Sequence, residues 1–92
     1  MAVVVIGVLP GGDAEKDRAI QQALGSGPMP APGALARFAG PVAGGWRVIS
    51  VWESREAYEA FRRDRLLPAF QQVGIAPPEI EVSELEDVRI NK

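Results

Sequence analysis

Apolar residues run without a break over positions 3–9, a β-branched stretch that suits a central strand covered on both faces. Pro10-Gly11-Gly12 stops it. Asp13 then stands as a helix N-cap, with Glu15 near the positive end of the helix dipole. Ile20, Ala23 and Leu24 recur at helical spacing as a core-facing stripe, and Asp17, Arg18, Gln21 and Gln22 are expected on the wet face. The pattern predicts a helix over 13–24, ended near Gly25. Positions 25–33, rich in Gly and Pro, predict a long connection over the surface with Met29 tucked onto the core. Positions 35–39 predict a second strand, 40–45 a turn, and 46–52 a third strand. In that third strand Trp46, Val48, Ser50 and Trp52 share one face, and Arg47, Ile49 and Val51 the other.

Ser54 reads as the next N-cap, with Glu56 in the first turn. Ala57, Tyr58, Ala60 and Phe61 are expected to face the core, and Arg55, Glu59, Arg62 and Arg63 the solvent. Pro68 lacks a backbone donor and clashes one turn back, which predicts a kink or restart near Leu67. Leu66, Leu67, Phe70 and Val73 carry the packing on to Gly74. Pro77-Pro78 leads into an alternating stretch over 79–83, a last strand with one wet face, which Val88 and Ile90 extend.

The order β-α-β-β-α-β in one short chain predicts an α+β, ferredoxin-like domain over residues 1–92. It has a four-stranded antiparallel sheet with both helices on one face. The first and third strands are apolar on both faces, yet the helices cover only one. The other face is expected to form an exposed apolar patch, closed by a second copy of the chain packed sheet to sheet. The size agrees: a domain of 92 residues buries only about 60–65% of its unfolded surface and gains from a partner.

Composition narrows the chemistry by what it lacks. There are no cysteines and no histidines, which removes disulfides, thiolate nucleophiles, the commonest metal ligand and the commonest general base. A net charge of −2 gives no counterion-release energy toward nucleic acid or an anionic membrane, so neither is expected as a partner. The first apolar run is too short to span a bilayer and has no basic leader, so a cytoplasmic location is expected. The glycines at 7, 11 and 12 do not have the spacing of a dinucleotide fingerprint. Glu79, Glu81, Glu84, Glu86 and Asp87 read as a solvated edge rather than a metal site. No cofactor is expected: neither metal, flavin nor nicotinamide.

Four kinds of side chain carry candidate chemistry. Arg37 interrupts a small, apolar strand. It either clamps a carboxylate, phenolate or enolate oxygen, or pairs with a carboxylate such as Glu53, or reaches solvent from an edge. Trp46 and Trp52 either wall a flat ligand, completed by Tyr58, Phe61 and Phe70, or fill the core. Tyr58 either donates a phenolic proton or keeps its ring buried and its hydroxyl wet. Ser50, among apolar neighbours, bonds a ligand or the backbone.

The segment Gly45-Trp46-Arg47-Val48-Ile49-Ser50-Val51-Trp52-Glu53-Ser54-Arg55-Glu56-Ala57-Tyr58-Glu59-Ala60-Phe61 resembles the dimeric α+β barrel superfamily. It looks like the Trp-x-Ser-x-x-x-aromatic junction of antibiotic biosynthesis monooxygenase-like proteins. The continuation Arg65-Leu66-Leu67-Pro68-Ala69-Phe70, with Gly74-Ile75 and Pro77-Pro78-Glu79, is similar to small actinobacterial members. The resemblance implies the ferredoxin-like fold, a homodimer and one of several activities: cofactor-free oxygenation of aromatic polyketides, haem degradation, or isomerisation. Some members have no demonstrated reaction. Haem degradation would need a second-helix His that this chain lacks, and Phe61 stands where those enzymes carry a Trp. Arg37 stands where related small members often place a His before an Ala-Gly-Pro turn, which favours anion binding or electrostatic stabilisation.

Together these expectations describe a small homodimeric monooxygenase-like protein. It acts without metal or flavin on a small aromatic or polyketide-like substrate. Arg37 and Tyr58 are the catalytic candidates, and Met29, Trp46, Ser50, Trp52, Phe61 and Phe70 the substrate-binding ones. The alternatives are a cyclase or isomerase of the same fold, or a non-catalytic dimeric module that binds a small hydrophobic acid or a partner protein.

Overall fold

A computed structural model describes residues 1–24 and 31–89. The unbroken β-branched run becomes β1 (Val3–Pro10), a central strand paired on both sides. It is antiparallel to β3 (Gly45–Trp52) on one side and to β4 (Ile80–Glu84) on the other. The second strand, β2 (Ala34–Val42), pairs antiparallel with the outer side of β3. The sheet order is β2-β3-β1-β4. With α1 (Ala14–Ala23) after β1 and a second helical stretch after β3, this is the ferredoxin-like α+β arrangement.

The helix starts follow the predicted chemistry. Asp13 accepts a 2.8 Å bond from the Lys16 amide and caps α1. Ser54 accepts a 3.1 Å bond from the Ala57 amide and caps α2 (Arg55–Phe61). The expected kink takes a particular form. Arg62–Leu66 is a π-helical turn, after which α3 (Leu67–Val73) resumes and ends at Gly74 in the left-handed conformation. Pro68 has no amide to give to the turn before it. The Leu67 amide bonds back to the Arg62 carbonyl instead, and one extra residue is absorbed.

Two boundaries differ from expectation. Positions 40–42 belong to β2 and not to a turn, so the hairpin closes through Ala43-Gly44 alone, with Gly44 at φ +79°. Pro41 is accommodated because β2 is an edge strand, where a missing donor costs no ladder bond. The last strand ends at Glu84, and Val88 lies in no strand. Ile90, Met29 and the rest of positions 25–30 lie outside the described residues.

Alternation along β1 sends Val3, Val5 and Leu9 beneath the helices. The core there forms in two pieces. Val3, Val5, Ala31, Trp52 and Tyr58 make one cluster; Leu9, Ile20, Ala69 and Phe70 make the other. On β1 the residue between the clusters is Gly7, which has no side chain to join them. The opposite sheet face is uncovered. Val4 pairs with Val51, Ile6 with Ile49 and Ile49 with Phe38 across it. Phe38 is 62% exposed there and Val8 40%. No helix among the described residues is long and apolar enough to cross a membrane.

Candidate functional site

The gap between the two core clusters is a cavity of about 350 Å³, roofed by the helices and floored by the sheet. Val5, Gly7, Val48 and Ser50 form the floor, and α1, α2, the π turn and α3 supply the roof. Its size falls at the small end of ligand pockets, and its wall is mostly apolar with a few polar groups.

Seven of the eight sequence-predicted site residues meet on this wall: Arg37, Trp46, Ser50, Trp52, Tyr58, Phe61 and Phe70. The eighth, Met29, lies outside the described residues. Trp52 is the centre of one end. Its ring meets Tyr58 edge-on at 5.5 Å and lies tilted on Phe61 at 5.0 Å. Its indole N–H donates to the Ser50 hydroxyl at 2.9 Å, so Ser50 serves a neighbouring side chain rather than the expected backbone group. Trp46 belongs to the other end, and its indole N–H is buried with no partner among the described residues. An unmet donor of this kind costs about 1–3 kcal/mol.

Arg37 points under the helices and not toward Glu53. Its Nη2 donates to Asp17 Oδ1 at 2.7 Å, tying the edge strand to α1 at the cavity rim. The Arg37 side chain is 34% exposed and that of Asp17 15%. This corrects the expectation for α1: Asp17 and Gln21 line the cavity instead of facing solvent. Arg62 is corrected in the same way, since it lies on the cavity wall and not on the wet face of its helix. The signal for all three was in the spacing. Asp17 falls at i−3 of Ile20, Gln21 at i−3 of Leu24, and Arg62 one turn after Tyr58, so each borders an apolar stripe.

Tyr58 is 4% exposed. Burial pushes its phenol above the ordinary value of 10.0, and the Arg62 guanidinium offsets part of the rise by charge and hydrogen bonding. The phenol is therefore a proton donor at neutral pH and not a base. The consequence for stability has a definite sign. Below pH 10 folded and unfolded chains both carry the neutral phenol; above it the unfolded chain ionises first, and stability falls. Tyr58→Phe is expected to flatten that alkaline decline. Urea midpoints at pH 8 and above pH 10 measure it, and an equal decline in both proteins would refute the assignment.

No protein-family model matches the sequence, and no curated protein matches it. Solved structures do match over nearly the whole chain. The Rv0793 protein of Mycobacterium tuberculosis is 21% identical with a TM-score of 0.71, over 96% of this chain and 98% of that one. A candidate antibiotic biosynthesis monooxygenase of Chloroflexus aurantiacus is 19% identical with a TM-score of 0.66, over 97% of each chain. SnoaB of Streptomyces nogalater, a cofactor-independent oxygenase, is 13% identical with a TM-score of 0.64, over 95% of this chain and 94% of that one. The chain thus has the fold of the antibiotic biosynthesis monooxygenase-like proteins, as its third strand and second helix led one to expect.

Proposed function

We propose that this protein is a cofactor-independent oxygenase. Its cavity takes a small, flat aromatic or polyketide-like substrate, and it works as a homodimer closed through the open sheet faces. The observation that carries the reading is the cavity itself. It parts the core of a small domain, is walled by Trp46, Trp52, Phe61 and Phe70, and has its polar groups confined to a few positions. The shared fold with a cofactor-independent oxygenase supports it. The exposed Phe38 and the β-branched residues around it support the dimer.

A substrate with a ring methylene conjugated through its aromatic rings to a carbonyl supplies all the electrons that dioxygen needs. The methylene becomes a second carbonyl, one oxygen atom stays in the product, and the other leaves as water. The Trp52–Phe61 wall orients the ring; the enol form of the substrate gives its proton to solvent water, and the protonated Tyr58 phenol hydrogen-bonds the resulting enolate oxygen. Arg37, steadied by Asp17, borders the same space and adds to the field there.

Anthrone is a suitable probe, since its ring methylene is activated in this way. The protein is expected to accelerate oxygen uptake, with one anthraquinone formed per dioxygen consumed and no effect of added chelator. Uptake no faster than the spontaneous reaction, with anthrone bound, would replace this reading by the second one, a non-catalytic module for a small hydrophobic ligand. That alternative is favoured by one feature: Asp17, the carboxylate on the cavity wall, is engaged by Arg37 and is not free to act as a base.

A further inference from the structure

The charges on the cavity wall do not cancel. Arg37 and Asp17 hold one another at 2.7 Å and together contribute no net charge. Arg62 is the second cation on the wall, and among the described residues it makes no ion pair. The two arginines that follow it are engaged. Arg63 bonds Asp64 at 2.8 Å; Arg65 lies 5.5 Å from the centre of the Phe61 ring and donates to the Leu24 carbonyl at 3.3 Å.

The backbone explains why Arg62 stays at the cavity. Its carbonyl accepts the Leu67 amide across the π turn, so the helix takes one residue more per turn there. Arg62, Leu66 and Leu67 all remain on the wall, where a regular helix would turn one of them away. Arg62 is half-buried as a residue, and beyond its hydrogen bond with the Tyr58 hydroxyl it meets no counter-charge among the described residues, so a bound anion supplies the missing charge partner. Its planar fork suits an acidic oxygen group. The Tyr58 hydroxyl, one turn earlier on the same wall, adds a neutral donor.

We propose that Arg62, with Tyr58 beside it, is the anion-recognition element of the cavity, and that the ligand is a flat apolar molecule bound with one acidic oxygen group ionised. Arg37, already neutralised, is not the group that selects for the acid. This rests on the cavity being a ligand site, as proposed above.

Calorimetric titration of the protein at neutral pH with 2-naphthoate and with its neutral methyl ester tests the pair of ideas separately. The wild-type protein is expected to bind the carboxylate at least about tenfold more tightly, the effect of one charge-assisted hydrogen-bonded contact. Arg62→Met and Arg62→Gln are both expected to lose that preference while binding the ester as before, which also shows that they fold. The double variant Asp17→Asn, Arg37→Met is expected to keep the preference. Equal affinities for acid and ester in the wild type overturn the inference and leave the cavity reading standing. A preference that survives both Arg62 variants and disappears in the double variant assigns the role to Arg37 and overturns it as well. Binding of neither probe overturns both the cavity reading and this inference.

Discussion

Replacing Trp52 by Ala is expected to cost about 3–5 kcal/mol, the range for deleting a large aromatic side chain from a packed core. Small domains have a total stability of only about 5–15 kcal/mol, so the variant sits close to unfolding at room temperature. The size of the effect follows from position. Trp52 is 4% exposed at the end of β3, where it meets Tyr58 and Phe61 of α2 and pairs in register with Val3. It also holds the Ser50 hydroxyl. One side chain thus fastens the second helix to the sheet and fixes one end of the cavity. Trp52→Phe keeps most of the ring contact but loses the indole donor and is expected to cost about 1 kcal/mol more than an ordinary conservative swap. Urea denaturation followed by far-ultraviolet circular dichroism reads both. A loss below about 1 kcal/mol for Trp52→Ala would mean that some other contact holds α2 down.

Phe38→Asp is expected to convert the proposed dimer into a monomer while leaving the fold intact. The ring is 62% exposed, so its own chain gains little from it. It stands on the edge strand of the open sheet face, directly opposite Ile49 of β3, which in turn faces Ile6 of β1. A two-fold contact through this face sets each Phe38 against the partner, and aspartate there buries a charge on both sides. The expected weakening is about 3 kcal/mol or more, a factor of roughly a hundred in the dissociation constant. Sedimentation velocity at micromolar concentration should give twice the 9.9 kDa chain mass for the wild type and the single chain mass for the variant. A wild-type monomer at that concentration removes the proposed dimer, and a variant that remains dimeric removes this face as its interface.

Much of this fold was legible because its signals are local. A β-branched run, two capping side chains and a clean alternation in β3 require only neighbours in sequence to be read. The end of β2 was not legible, because Gly40-Pro41 is turn chemistry in isolation and strand chemistry only at a sheet edge. The cavity wall divides in the same way. Trp46, Trp52, Tyr58, Phe61 and Phe70 announce themselves by size and period. Asp17, Gln21 and Arg62 were assigned to water because polar residues usually face it. Their helical phase sets them at the borders of the apolar stripes, and a gap between the core clusters explains why polar groups are tolerated there. The π turn was half legible. Pro68 predicts a disturbance, but whether the helix kinks or absorbs a residue depends on what lies beneath it.

The glycine at position 7 has a consequence for the lifetime of the protein. With the cavity empty, the Trp52 end and the Phe70 end share no core side chain and are joined only through the sheet and the helical run of α2, π turn and α3, which leaves each freer to open locally. A ligand that fills the space touches both ends and makes them open as one unit. Its binding energy adds to the stability of the native chain. Where proteolysis acts on transiently opened molecules, the occupied protein outlasts the empty one. On the proposed reading of the cavity, the abundance of the protein follows the supply of its ligand, through nothing more than a missing side chain in the middle of its first strand.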